Sequence, residues 1–84
     1  MCTNIVESTP ISGSGKGPQG WFKLEQANVS YDHPFHAPLE HALNIDFVAG
    51  GSTAQRVAVE LTRDSAEQLV AAIRAALDRG REHD

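Results

Sequence analysis

The chain has almost no cysteine and no long apolar run. Its single cysteine, Cys2, cannot form a disulfide within the chain, which fits a reducing compartment. The longest mainly apolar stretch, residues 69–77, is far shorter than the roughly 20 residues that span a bilayer. The N-terminus lacks the basic residues and the apolar core of a signal peptide. We therefore expect a cytoplasmic protein with no membrane partner.

Positive charge is also scarce. Seven Lys and Arg residues stand against eleven Asp and Glu residues, which gives a formal net charge of −4. Nucleic-acid binding needs a basic face that neutralises several phosphates. The composition therefore argues against nucleic acid as a partner.

The length indicates one small domain, residues 1–84. A chain of this size buries only about 60 to 65% of the surface that its unfolded form exposes. Such a core is marginal, and small domains often gain stability from a bound metal or from assembly. We therefore expect a homo-oligomer, either a dimer or a larger assembly.

Alternation of polar and apolar residues predicts most of the strands. Residues 12–20 hold four of the seven glycines and are predicted to form a flexible loop. The apolar positions change parity within the second strand, which predicts a bulge near Gln26. A turn is expected at residues 50–52. The four predicted strands are residues 4–8, 21–31, 41–48 and 56–62.

The C-terminal part of the chain predicts a helix over residues 65–79. Asp64 followed by Glu67 has the pattern of a capping box, and apolar residues follow at helical spacing. Gly80 is expected to end the helix in a left-handed conformation, with residues 81–84 as a frayed tail. The predicted fold class is α+β, a small antiparallel sheet of about four strands with one C-terminal helix packed on one face. The helix is too short to cover the sheet, which leaves a surface for a second copy.

Three of the four histidines lie within nine residues, at His33, His36 and His41. Neutral imidazoles together with carboxylates suit zinc, iron, manganese, nickel or copper. Two prolines in the segment restrict its backbone and would preorganise the imidazoles. We therefore predict a transition-metal site with these three histidines as ligands. The candidates for a fourth ligand, or for a group that orients the histidines, are Asp32, Glu40 and Asp46.

Three further residues have side chains suited to chemistry at such a site. If the metal keeps an open position, activation of water or oxygen is the natural reaction, with Lys16 and Tyr31 as candidates for contact with a substrate or an anion. Cys2 is a candidate reactive thiol, and it would also present a free amine if Met1 were removed. Its alternative role is that of a small buried residue.

Other functions also fit the same residues. The histidines can serve as ordinary hydrogen-bonding groups in a metal-free homo-oligomeric binding or assembly module, whose exposed sheet face binds a partner or a small molecule. A metal-free acid/base enzyme centred on one histidine is a third reading. The segment Gly13–Gly17 resembles a phosphate-binding loop, but the residue after Lys16 is glycine and the next element is a strand rather than a helix. Nothing in the spacing favours a Ser/His/Asp triad or a pair of glycosidase carboxylates.

Four segments together carry a resemblance. They are Met-Cys-Thr at residues 1–3, Gly-Ser-Gly-Lys-Gly at 13–17, Gly-Trp-Phe at 20–22, and Tyr-Asp-His-Pro-Phe-His-Ala-Pro-x-Glu-His-Ala-Leu-Asn-Ile-Asp-Phe at 31–47. In these segments the chain resembles an uncharacterised family of short bacterial proteins. The resemblance covers most of the chain and implies a stand-alone small protein. The family has no established activity from which a catalytic role could be transferred.

Overall fold

A computed structural model of the protein describes residues 2–50 and 55–84. The four strands form one antiparallel sheet in the order β1-β2-β3-β4, and a helix follows the last strand. This arrangement confirms the predicted α+β class. The predicted turn at residues 50–52 lies mostly outside the described residues. The elements are β1 Ile5–Gly17, β2 Gly20–Asp32, β3 Ala42–Val48, β4 Arg56–Leu61, α1 Arg63–Gly80 and a 3-10 turn Arg81–His83.

The glycine-rich segment is a strand, and the prediction of a flexible loop over residues 12–20 was wrong. Its residues 13–17 pair with β2, and Gly20 closes the hairpin with a φ of 111°, a conformation that glycine adopts without strain. A Cβ on Gly15 would lie 3.0 Å from Leu24 Cδ2, and one on Gly17 would lie 3.4 Å from Phe22 Cε1. The glycines therefore let large β2 side chains cover the β1 backbone, which compensates for their low strand propensity.

A bulge is present in β1, so the prediction of a bulge in β2 near Gln26 was wrong. Pro10 pairs with Gln26 and Gly13 pairs with Leu24, so the register shifts between these pairs. Two β1 residues therefore lie opposite one β2 residue, as in a β-bulge. The parity change within β2 lies next to this bulge, because Gln26 pairs with Pro10. It could not identify the strand that contains the extra residue, because that depends on the register between strands.

The strand register divides the sheet into an apolar and a polar face. Residues paired across neighbouring strands share a face, and the register therefore defines rows of side chains across β2, β3 and β4. The rows of the apolar face are Tyr31–Leu43–Leu61, Val29–Ile45–Val59 and Ala27–Phe47–Val57, and those of the polar face include Ser30–Asn44–Glu60 and Asn28–Asp46–Ala58.

Helix α1 begins two residues earlier than the capping-box pattern predicts. Thr62 is the N-cap, and its Oγ1 accepts a hydrogen bond from the backbone N of Ser65 at 3.1 Å. Asp64 therefore lies in the first turn of the helix, where its negative charge interacts favourably with the helix dipole. Gly80 is right-handed, with a φ of −66°, and the chain continues into the 3-10 turn. The predicted left-handed end at Gly80 was therefore wrong, and residues 81–83 of the predicted tail form this 3-10 turn.

The helix lies over part of the apolar face. A groove of about 450 Å³ remains between α1 and the sheet, and both elements line it. No helix in the described part of the chain has the length and apolar character needed to cross a bilayer.

Candidate metal centre

Residues 33–41 connect β2 to β3 and are anchored by Glu60 of strand β4. The Glu60 carboxylate accepts backbone hydrogen bonds from Phe35 at 2.6 Å, from His36 at 3.1 and 3.2 Å, and from Ala37 at 2.8 Å. These hydrogen bonds lower the pKa of Glu60, and the bond from Ala37 has the largest effect. Partial burial of the carboxylate acts in the opposite direction. A charged acceptor makes stronger hydrogen bonds than a neutral one. Glu60 therefore fixes the segment that carries the three clustered histidines.

The N-terminal residues fold across the end of β2. Asn4 adopts a left-handed conformation with a φ of 58°, which asparagine tolerates better than most residues. The Thr3 hydroxyl donates to the carbonyl O of Tyr31 and accepts from the backbone N of Ile5 at 3.2 Å. This turn brings Cys2 close to Asp32.

Asp32 links this turn to the first histidine. Its Oδ1 accepts from the backbone N of His33 at 2.7 Å. That bond is the main cause that lowers the pKa of Asp32. The backbone N–H groups of Thr3 and Asn4 and the charge of His33 also lower the pKa, whereas partial burial of the carboxylate raises it. Asp32 is therefore held as a carboxylate beside His33.

The tautomer of His33 follows from its hydrogen bond to the backbone. Its Nδ1 lies 2.8 Å from the carbonyl O of Glu40. A carbonyl oxygen only accepts hydrogen bonds, so a proton is assigned to Nδ1, and in the neutral ring the lone pair is on Nε2. Histidines that bind metals commonly donate their other ring N–H in this way.

Four side chains form a row along this end of the sheet. The rings of His33 and His41 stack with centroids 5.1 Å apart and an interplanar angle of 28°. The Tyr31 ring also lies beside His41, with the two centroids 5.7 Å apart. The Arg63 guanidinium lies 4.8 Å from the centroid of the Tyr31 ring, within the range of a cation–π contact. Because Tyr31 belongs to the apolar face, the row joins the histidines to that face.

Five residues form what we call the His33 cluster: Cys2, Asp32, His33, Glu40 and His41. They fall into two groups, Cys2 with Asp32 and His33, and His33 with Glu40 and His41. Within each group the ligand atoms lie within 4.8 Å of one another. Donor atoms bound to one zinc ion lie about 2.0 to 2.3 Å from it and hence about 3 to 4 Å apart. A movement of about 1 Å would therefore bring either group to coordination distance.

The other residues predicted for the site lie elsewhere. His36 belongs to neither ligand group. Asp46 is on the polar face of β3, where its Oδ1 lies 2.5 Å from Arg56 Nη2 in an ion pair. Lys16 pairs with Trp21, ten residues along β2 from Tyr31, or about 33 Å at the usual rise of a strand. The structure therefore does not bring Lys16 to the histidines.

Glu60 is a residue of this site that the sequence pattern did not reveal. The alternation in β4 indicated that Glu60 lies on the opposite face from Val59 and Leu61. Nothing in the spacing connected it with residues 35–37, because that contact depends on how two strands and a loop meet in space.

Comparison with models of protein families matches residues 1–84 to a family of unknown function (DUF6295). No curated protein and no solved structure matches the chain. The matched range includes the whole sheet, the helix and all five residues of the His33 cluster.

Proposed function

The chain belongs to the DUF6295 family, whose function is unknown, and we propose that it is a small metal-binding protein that holds one divalent transition-metal ion at the His33 cluster. The observation that carries the proposal is the meeting of two ligand groups at His33. Imidazole, thiolate and carboxylate are the donors that transition metals prefer in proteins. Their convergence from the N-terminus, the end of β2 and the residues just before β3 supports one composite site.

We assign the ligands as the imidazoles of His33 and His41, the thiolate of Cys2, and a carboxylate from Asp32 or Glu40. Four such donors suit the tetrahedral preference of zinc. A thiolate ligand also favours iron, nickel or copper over manganese. His36, which sequence spacing suggested as a third histidine ligand, is not required by this arrangement.

Two features support a site that is organised before the metal binds. The Nδ1 hydrogen bond of His33 orients its ring, and in the neutral ring Nε2 is the nitrogen that can bind a metal. The Glu60 carboxylate holds the loop through three backbone N–H groups. Both reduce the ordering cost that ligand binding would otherwise incur.

Exposure of the site is compatible with a further ligand from solvent. Cys2, His33 and Glu40 are exposed, and a bound transition metal would lower the pKa of a coordinated water. Activation of water at this position is therefore the chemistry that we propose if the ion keeps an open position. A thiolate ligand requires a reduced cysteine, so the proposal places the protein in the cytoplasm.

Metal analysis and titration test the proposal directly. Untagged protein is stripped with a chelator, dialysed, and titrated with Zn²⁺ and with Co²⁺ as a spectroscopic probe. We expect about one equivalent of either ion to bind, and the Co²⁺ complex to show thiolate-to-metal charge-transfer absorption, because thiolate is one of the assigned ligands. Less than about a tenth of an equivalent of any transition metal after reconstitution would exclude the proposal.

A matched pair of histidine variants tests the ligand set. We expect His33→Ala to weaken Zn²⁺ binding at least about 100-fold, since loss even of a residue that only orients a ligand costs 10- to 100-fold. His36→Ala removes the same side chain from the same loop, and we expect a change of less than about threefold. Affinities are measured by competition with a chromophoric chelator, and circular dichroism confirms folding. Equal losses in both variants would contradict the assignment.

A further inference from the structure

A single chain exposes more surface than a folded monomer of its mass normally does. Its accessible surface is 6571 Å², whereas a monomer of 9.1 kDa is expected to expose about 4,900 Å². The radius of gyration is 14.3 Å, against about 12 Å for a compact chain of 84 residues. In the described part of the chain only Leu24, Ala27 and Ala42 are buried apolar residues. The chain therefore exposes about 1,700 Å² more than a compact monomer of its mass would, and its buried core is very small.

Much of the exposed apolar surface lies on one stripe of α1. Four of its residues follow each other at helical spacing and are 41 to 64% exposed. A helix packed on a core normally buries such a stripe. The opposite wall of the groove is the apolar face of the sheet, including Tyr31, Leu43 and Ile45. The four helix residues are Leu69, Val70, Ile73 and Leu77.

We propose that a second copy of this chain fills the groove, so that the protein is a two-fold symmetric dimer in which each α1 packs its apolar stripe against the partner subunit. The size of the excess accessible surface indicates that the occupant of the groove is a second copy of the chain. An excess of about 1,700 Å² on each chain gives about 3,400 Å² for two chains, within the 2,000 to 5,000 Å² of obligate homodimers. A small molecule or a single peptide strand in a groove of about 450 Å³ would cover much less.

The charges lining the groove allow two identical surfaces to meet. Despite the net charge of −4 on the chain, the groove is lined by one basic and one acidic residue, Arg63 and Glu67. They are one helical turn apart. In a two-fold interface each surface meets an identical one, so opposite charges can face each other across the axis. The dimer does not depend on a metal, and the inference extends beyond the metal-binding proposal.

A matched pair of helix variants tests the interface. Val70 lines the groove and is 64% exposed in a single chain, so an isolated chain should tolerate Val70→Glu. Gln68→Glu makes the same change in charge on the same helix, at a residue that does not line the groove. We expect wild type and Gln68→Glu to sediment at twice the chain mass at about 10 μM, and Val70→Glu at the chain mass with dimer affinity lowered at least about 100-fold.

A second measurement uses wild-type protein and avoids the risk that a variant does not fold. Labelled and unlabelled chains are mixed, and intermolecular nuclear Overhauser effects are recorded from the methyl groups of Val70 and Ile73. Signals between chains are expected. Wild type at the chain mass up to about 200 μM would overturn the proposal, and so would a dimer without these signals or a folded Val70→Glu dimer. Repeating sedimentation with a chelator separates the two proposals, because the dimer is expected to persist without metal.

Discussion

Glu60 shows how one side chain can organise a loop from a distant part of the sequence. Its carboxylate accepts hydrogen bonds from three consecutive backbone N–H groups, of Phe35, His36 and Ala37. These bonds favour the charged form, and the pKa of Glu60 is therefore lowered from its ordinary value of 4.5. A lowered pKa stabilises the folded protein above the ordinary value, and the stabilisation is lost as the pH falls through the folded pKa.

Replacement of Glu60 by glutamine should affect both stability and metal affinity. Above pH 4.5 Glu60→Gln is expected to lower the free energy of unfolding, and its difference from wild type should shrink as the pH falls further. Because the loop is held less firmly, Zn²⁺ affinity should fall about tenfold. Urea denaturation at several pH values and chelator competition measure the two effects.

Glu7→Gln provides the control for this experiment. Glu7 is an exposed residue of strand β1, and the hydrogen bonds that hold residues 35–37 come from Glu60 instead. Its free energy of unfolding should stay within about 0.5 kcal/mol of wild type. A Glu60→Gln deficit that is the same at pH 7 and at pH 2.5, or an unchanged Zn²⁺ affinity, would contradict the anchoring role.

At the scale of elements, β1 and α1 show where local patterns are insufficient. The segment 12–17 has a glycine content typical of loops, yet it forms a strand because Phe22 and Leu24 cover it. Helix α1 follows β4 after a single residue, so Thr62 becomes both the connection and the N-cap. The adjacent strand β2 therefore determines that residues 12–17 form a strand, and the end of β4 determines where the helix begins.

The cap assignment leads to a stability prediction. We expect Thr62→Ala to lower the free energy of unfolding by about 1 kcal/mol, since it removes the side chain that accepts from the backbone N of Ser65. Asp64→Ala should cost less than about 0.5 kcal/mol, because Asp64 contributes through the helix dipole rather than through the cap. Chemical denaturation of both variants measures the difference. The reverse order of the two effects would restore Asp64 as the cap.

At the scale of the whole molecule, the excess surface is the dominant feature. The chain extends over 45 × 33 × 21 Å, and α1 leaves its apolar stripe largely exposed. Burial of apolar surface is the main source of folding free energy. A single chain is therefore less stable than a dimer that buries this stripe, and assembly should contribute much of the free energy of unfolding.

This dependence on assembly predicts that the thermal midpoint of wild-type unfolding rises with protein concentration. A dimer that dissociates on unfolding is stabilised by mass action, so a hundredfold increase in concentration should raise the midpoint by several degrees for a domain of this size. Differential scanning calorimetry from about 5 to 500 μM measures the shift. Val70→Glu serves as the control and should show no shift. A wild-type midpoint independent of concentration would contradict the dimer.

Much of the fold follows from the sequence, whereas only part of the candidate site does. Periodicity, together with the turn and capping signals, predicted α1, β3, β4 and most of β2. Proximity of His33, Glu40 and His41 was also predictable, because a short segment between paired strands keeps its ends close. The approach of Cys2 and the contact of Glu60 with the loop were not predictable. Both depend on the pairing of strands far apart in the sequence, and periodicity carries no information on that pairing.

The length of the β1–β2 hairpin gives the protein two optical reporters at opposite ends. The chain has one tryptophan and one tyrosine. Trp21 is 70% exposed near the hairpin turn, about 33 Å along β2 from Tyr31, whose ring lies beside His41. Tyrosine emission therefore monitors the His33 cluster, and tryptophan emission monitors the far end of the hairpin. A paramagnetic ion that quenches only the tyrosine can be localised to the cluster without any labelling.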